Sequence, residues 1–529
     1  MAAIVSNNFR VVNASNFKED VANSAVYVGI GKGDVWSNTT SDTTDLATAP
    51  TPGDHLDEFG IARSNLQGVK KVSSANLSHV TNRHTWDGST SYVAWDSKDS
   101  NIFDKKFYVV TNEFKVYKCI VAGAGASTIE PVHINTEPTL ESDGYKWKYM
   151  YTVTVTDAEK FLTNSYMPVN TLGYPTTATV NGATSSATAA TLAAANANIK
   201  VGQLVTGAGI SGSVTVANIS GTTLTLSSAQ SLTDGGTLTF GRFATTDVNY
   251  ANQTAQINSL GHAKAGGIER IEVTSAGQDY SSTPTVTITG DGTGANATAV
   301  MAGSGSSQTV ASITINDKGT DYNVADIVIS GGGGSLATAR AVISPPNGHG
   351  TDPISELGAF FVAINTQLSG SEGGDLTVGQ DFRQIALIKN PQNFGSDVTA
   401  SATTLRARRA LRLNSSASLT GFAVDQVING SSSGAKAYLV EIDTSNKVLY
   451  YYQNSKTGFG NFVSGDTITG TLPNGGSATL NTGDPFGTVA NGYGPEVKRN
   501  SGQLIFLENR DPINRSSSQI EDIKLIVEF

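Results

Sequence analysis

Short apolar runs separated by turn residues recur along this chain, the pattern of strands rather than of long helices. Ala25–Ile30 (AVYVGI), Phe107–Val110 (FYVV) and Val116–Val121 (VYKCIV) are rich in β-branched and aromatic residues, which predicts buried strands. Tyr149–Val155 (YMYTVTV) has a similar composition and alternates at its end. Phe382–Asn390 (FRQIALIKN) predicts a strand stopped by Pro391, and the closing DIKLIVEF predicts a terminal strand. Two short segments depart from this pattern. Asp54–Leu66 can hold a short helix, and Thr156–Asn164 (TDAEKFLTN) predicts another, capped by Thr156 or Asp157 with Glu159 adding early negative charge. Asp42–Pro52 (DTTDLATAPTP) predicts a loop.

The texture changes near residue 171. Strand-length runs such as IKVGQLVTGAGI, SGSVTVANISGTTLTLSS and GGTLTFG alternate with Gly-containing turns, which predicts a small β-sandwich or barrel over 171–241. Within it Ala187–Ala197 is Ala-rich enough to suggest a helix. Residues 242–345 hold an internal repeat, with copies at 267–301 and 310–343. Gly277, Asp279 and Tyr280 recur as Gly319, Asp321 and Tyr322, 42 residues later. A weaker repeat occupies 413–486: Phe422, Ile428 and Gly430 recur as Phe462, Ile468 and Gly470, 40 residues on. Between these lies a strong strand, Val448–Tyr452 (VLYYY).

Composition sharpens the division. All four tryptophans, Trp36, Trp86, Trp95 and Trp147, precede residue 150. The expected organisation is a β-sandwich core with short helices, built from 1–170, 346–412 and 487–529, carrying inserted β modules at 171–241, 242–345 and 413–486. The chain's 529 residues suffice for several cores. The single cysteine, Cys119, excludes an intrachain disulfide and suits assembly in a reducing cytoplasm. MAAIVSNNFR predicts no signal peptide, and no window predicts a membrane helix. A formal charge of −10 argues against a general nucleic-acid binder.

The ordinary segments resemble the wedge subunit of contractile-tailed phages of the T4 type, the product of gene eight. The resemblance is carried by an ordered set of motifs: Phe9-Arg10; YVGIGKGDVWS from Tyr27 to Ser37; Arg83-His84-Thr85-Trp86-Asp87; Tyr117-Lys118-Cys119; and Asp143-Gly144-Tyr145-Lys146-Trp147-Lys148-Tyr149. After the insertions come Phe382-Arg383-Gln384-Ile385 with Asn390-Pro391, then Gly502 to Arg510 (GQLIFLENR) with Pro512 and the strand to Phe529. The resemblance implies a β-sandwich subunit that dimerises, joins neighbouring wedge proteins in the virion's tail baseplate, and has no catalytic centre. The alternative expectation is a receptor- or glycan-binding tail component that uses the inserted modules, whose aromatic candidates are Tyr280, Tyr322 and Tyr450 to Tyr452. The four tryptophans, Tyr145, Tyr149, Phe382 and Phe506 are the expected core anchors.

The remaining chemistry has plainer readings. Gly29-x-Gly31-Lys32-Gly33 lacks the Gly-Lys-Ser/Thr of a phosphate loop and predicts a turn after a strand. His79, His84 and Asp87 are too sparse for a metal site. Asp54, Asp57 and Glu58, beside His55, suit a solvated face. Gly430-Ser431-Ser432-Ser433-Gly434 matches a nucleophile elbow in spacing, but AKAYLVEI after it predicts a hairpin, since an elbow leads into a helix. Cys119 predicts a core thiol. Asp279 and Asp321 could ligate calcium, yet one carboxylate per copy favours turns in which Gly supplies the backbone, Asp caps and Tyr packs. Arg406, Arg408, Arg409 and Arg412 form the one dense basic patch, suited to an acidic neighbour. No catalytic residue, cofactor or metal is assigned.

Overall fold

The computed structural model describes residues 4–37, 44–169, 176–196, 198–261, 266–471 and 475–529. Part of the expected 42–52 loop and the start of the 171–241 module therefore lie outside the described residues. Strand outweighs helix, 42% to 11%, so the protein is mainly β. It divides into two compact units, one of residues 1–17, 78–363 and 526–529 and one of residues 18–77 and 364–525. The three segments expected to share one core are thus distributed over both units, because their strands choose different partners.

In the first unit an antiparallel sheet runs Tyr108–Val110, Lys115–Val121, Lys146–Thr152 and Thr139–Leu140. Alternation turns Tyr117, Cys119, Trp147 and Tyr149 into one core, which Tyr145 joins, all fully buried. Tyr145 stacks on Trp147 at 5.6 Å. Trp86 and Trp95 are partly buried against neighbouring clusters.

The strands of 176–243 form one six-stranded antiparallel sheet. Its edges, Thr176–Thr179 and Ala187–Thr191, meet through a bridge between Val180 and Leu192, so the sheet closes as a barrel. Leu224, Leu226, Leu238 and Phe240 fill it. Of the Ala-rich stretch, Ala187–Thr191 is a barrel strand, not a helix, and Ala197 lies outside the described residues: alternate small side chains suit a wall buried on one face only, and Ala190 points inward.

The 267–343 repeat folds by exchange. The first strand of copy one, Ile268–Gln278, pairs with the last strand of copy two, Ser335–Ile343. The last strand of copy one, Thr293–Ala302, pairs with the first of copy two, Thr309–Thr320, and the middle strands Thr285–Gly290 and Ala325–Ser330 pair together. The two copies are therefore related by a pseudo-twofold, and neither has a complete sheet alone. Tyr280 packs on Gly332 and Gly334 of the other copy, and Tyr322 on Gly290 and Gly292. A Cβ at Gly292 would stand 2.4 Å from Tyr322 Cγ, and one at Gly334 2.5 Å from Tyr280 Cγ, with a backbone oxygen 2.5 Å away in each case. Gly292→Ala and Gly334→Ala are expected to destabilise this module by about 1–3 kcal/mol each, and by similar amounts. Hydrogen exchange of residues 268–343 in the full chain measures both. A loss at one position only would contradict the exchange symmetry.

In the second unit a five-stranded sheet has the order Thr404–Arg406, Leu66–Lys71, Val26–Gly31, Asp381–Lys389 and Gln503–Asn514. Val26–Gly31 and most of Asp381–Lys389 are buried, as continuous apolar runs in a central position should be. Phe382 is buried, but Phe506 is only half-buried because its strand is at the sheet edge. Residues 409–479 form a second six-stranded sheet, its ends joined by a Leu413–Leu480 bridge. Its repeat is again antiparallel and symmetric: Ile428 faces Gly470, and Gly430 faces Ile468.

One helix was not expected, and two local expectations are corrected. Asn7–Asn23 is a helix that its Asn-rich, weakly periodic sequence conceals; it places Val11 in a cluster with Phe360 and Phe361. The helix expected over 156–164 is Val155–Phe161, and its cap is Thr154, whose hydroxyl accepts from Asp157 N at 3.1 Å. The strand expected from Tyr149 starts earlier, at Lys146. The short helix in 54–66 is Leu56–Asn65, capped by the His55 ring.

Candidate functional site

The glycine-flanked Lys32 ends the strand Val26–Gly31 with φ +62° and turns inward. Its ammonium is buried, ion-paired with Asp34, and donates to the carbonyls of Asp34 and Val35 at 3.0 and 3.2 Å. Asp34 collects more partners from the barrel of the same unit. Tyr452 OH donates to its carboxylate at 2.6 Å, Asn454 Nδ2 at 3.2 Å, and the Lys456 ammonium lies 3.0 Å away. Burial pushes Lys32 down to about 8 despite Asp34, while the two lysines and Tyr452 hold Asp34 below its usual range against burial. The loop thus satisfies its own lysine and makes a charged joint between sheet and barrel. Nearby, Arg383 grips Asp45 at 2.8 and 2.9 Å, and the Trp36 indole donates to Arg510 O at 2.8 Å.

The first unit has a matching joint that sequence reasoning missed. Lys118 and Glu356, 238 residues apart, are fully or nearly fully buried and pair at 2.8 Å. The Lys118 ammonium also sits 3.8 Å over the Trp95 ring. His349 bridges outward, its ring nitrogens 3.6 Å from Glu269 and 3.8 Å from Glu356. Glu269 in turn accepts from Lys318 at 2.8 Å. Burial and the Lys118 charge lower the His349 value against the pull of Glu269 and Glu356. Burial alone would raise Glu269, but His349 and Lys318 outweigh it and hold it at about 2. Glu269 and Lys318 belong to the exchanged repeat, Lys118 and Trp95 to the aromatic sheet and its flank. Arg340 reinforces the junction by pairing with Asp96. The one available signal was a lysine inside VYKCIV, an apolar strand that buries both faces.

The other candidates fall apart as sites. His79 is buried against Ser15 and the Ala359 carbonyl, whereas His84 leans on Tyr108. Asp87 caps its own turn through Ser89 and Thr90. Asp54 and Asp57 are exposed, and Glu58 donates its backbone N–H to His55. Ser432 and Ser433 lie in a hairpin turn between paired strands, and their N–H groups donate to buried Asp466 at 2.7 and 3.1 Å. Cys119 is sealed in the core, and burial pushes its thiol up to about 12. Gly277 and Gly319 have positive φ, as expected, but so do Asp279 and Asp321, whose contribution is left-handed backbone rather than a cap. Tyr280, Tyr322 and Tyr450 to Tyr452 are all buried. Among the described residues no group of three or more His, Cys, Asp or Glu is placed to hold a metal ion.

The basic patch is mostly internal. Arg406 pairs with Asp375, Arg408 is buried against Glu441 and stacks 4.6 Å from the Tyr450 ring, and Arg412 pairs with Asp484. Arg409 has no such carboxylate among the described residues.

His84 supplies a pH test. Burial, aided by Lys106, lowers it from 6.5 to about 4. Between these values the unfolded chain takes up a proton that the folded chain refuses, so stability falls as pH drops from 6.5 to about 4 and levels off below. His84→Gln is expected to remove about 2 kcal/mol of that fall, read from urea midpoints across pH. An unchanged pH profile would show that His84 is protonated in the fold.

No protein-family model matches the chain, and no curated protein matches it.

Proposed function

We propose that this chain is a structural virion protein, a wedge subunit of a contractile phage tail baseplate. It is assembled in the host cytoplasm and acts as a homodimer that ties neighbouring wedge proteins together. The supporting observation is where the separated motif blocks go. YVGIGKGDVWS, FRQI and GQLIFLENR become adjacent strands, with Gly29 facing Ala386 and Ala386 facing Leu507. RHTWD, YKC and DGYKWKY likewise meet: Trp86 N donates to Val110 O, its indole to Ser127, and Ser127 to Asp143, while Cys119 faces Trp147. Blocks that are far apart in sequence and converge on shared sheets are what a retained framework with added barrels would contain. The 409–479 barrel and the exchanged repeat are each joined to a neighbouring sheet by buried ion pairs, which suits parts that transmit force as rigid bodies. Interfaces with two near-equivalent packings would then do the work during tail contraction. Light scattering at micromolar concentration tests the dimer: twice the chain mass is expected, and a monomer would overturn that part of the reading.

A further inference from the structure

The second unit carries an open cavity of about 250 Å³, lined by Phe394, Arg409, Tyr451, Asn461, Phe462 and Phe486. A smaller recess beside it shares Phe394, Arg409 and Tyr451 and adds Arg499. Three features distinguish this place. Phe394, Phe459 and Phe486 are 43%, 52% and 37% exposed, and among the described residues only Phe9 is another phenylalanine so displayed. Arg499 lies 5.7 Å from the Phe459 ring centre, so Phe459 stands beside the recess that Arg499 lines. Arg409 and Arg499 face no carboxylate among the described residues, whereas Arg406, Arg408 and Arg412 each have one. Burial and the Arg409 charge lower the Arg499 value, as expected of two half-buried cations that share a recess with no anion.

Guanidinium forks recognise carboxylates in bidentate geometry, and phenyl faces take the C–H face of a ring. The cavity lies just below the usual size range of small-molecule sites, which suits a single sugar ring better than a peptide strand. We propose that this pocket binds a hexuronate, as free sugar or as a residue of an acidic polysaccharide, with its carboxylate between Arg409 and Arg499 and its ring against the phenyl rim. Asn461 supplies hydrogen bonds to the ring hydroxyls. This is a binding activity beyond the scaffold role, and it can fail or hold independently of where the chain sits in a virion.

The test is calorimetry of the full chain with oligogalacturonate, its methyl ester, free galacturonate and an acidic peptide. Saturable binding of the acid forms, loss of binding to the methyl ester, and an about tenfold weaker affinity in Arg499→Gln are expected. Phe394→Ser, at an exposed position that lines both the cavity and the recess, should weaken binding similarly. Binding of the acid forms without binding of the peptide assigns the site to sugar acids. Equal binding of the ester, unchanged affinity in both variants, binding of the peptide alone, or no binding would each overturn the proposal.

Discussion

Lys118→Met is expected to cost the first unit about 3–5 kcal/mol, enough to unfold it in mild urea while the second unit persists. Lys118 is fully buried, and its ammonium is the paired cation of Glu356, which is 4% exposed. Methionine fills much of the space but leaves the Glu356 carboxylate in the interior with its ammonium partner gone and the backbone N–H groups of Gly350 and Asp352 and the His349 ring as its remaining polar neighbours among the described residues. The cost is that of an uncompensated buried charge rather than the worth of one hydrogen bond. The Lys118→Met, Glu356→Gln double variant removes both charges and should recover much of the loss. If the single and double variants unfold at the same urea concentration, the joint is held by packing alone.

Asp34→Ala is the second large effect, again about 3–5 kcal/mol, now in the second unit. It leaves the Lys32 and Lys456 ammonium groups facing each other at side-chain exposures of 5% and 13%, and it deprives Tyr452 OH of its acceptor. Asp34→Asn keeps a hydrogen-bonding group and should lose less. The pH dependence has a definite sign. The folded Asp34 value lies below the ordinary 3.8, so its stabilisation is present above that pH and fades as pH falls further. The gap between native and Asp34→Ala midpoints should therefore narrow in acid. A gap independent of pH would show that the carboxylate charge is not what matters.

Much of the fold was legible from local pattern. The barrel strands, the two repeats and the core around Trp147 follow from alternation, turn residues and large aromatics, all short-range signals. Ala187–Thr191 misleads because alanine favours helices locally, while barrel closure through Val180 and Leu192 decides the outcome. Asn7–Asn23 hides because few apolar residues mark its buried face. The site was hardly legible. Asp34 and Tyr452 are 418 residues apart, and Lys118 and Glu356 are 238 apart, so no window contains either joint. Arg409 reads like its neighbours in RARRALR, and only the fold shows that it faces an open pocket while they are neutralised. The exchange of strands between repeat copies was also hidden, because identical local patterns allow either pairing within a copy or pairing across copies.

The most direct measurement of the central claim is electron microscopy of purified virions labelled with an antibody against residues 267–343. Label ringed around the distal end of a contractile tail, at the baseplate, is the expected result. Label along fibres or on the head would contradict it and move the chain to a receptor-binding or decorating role.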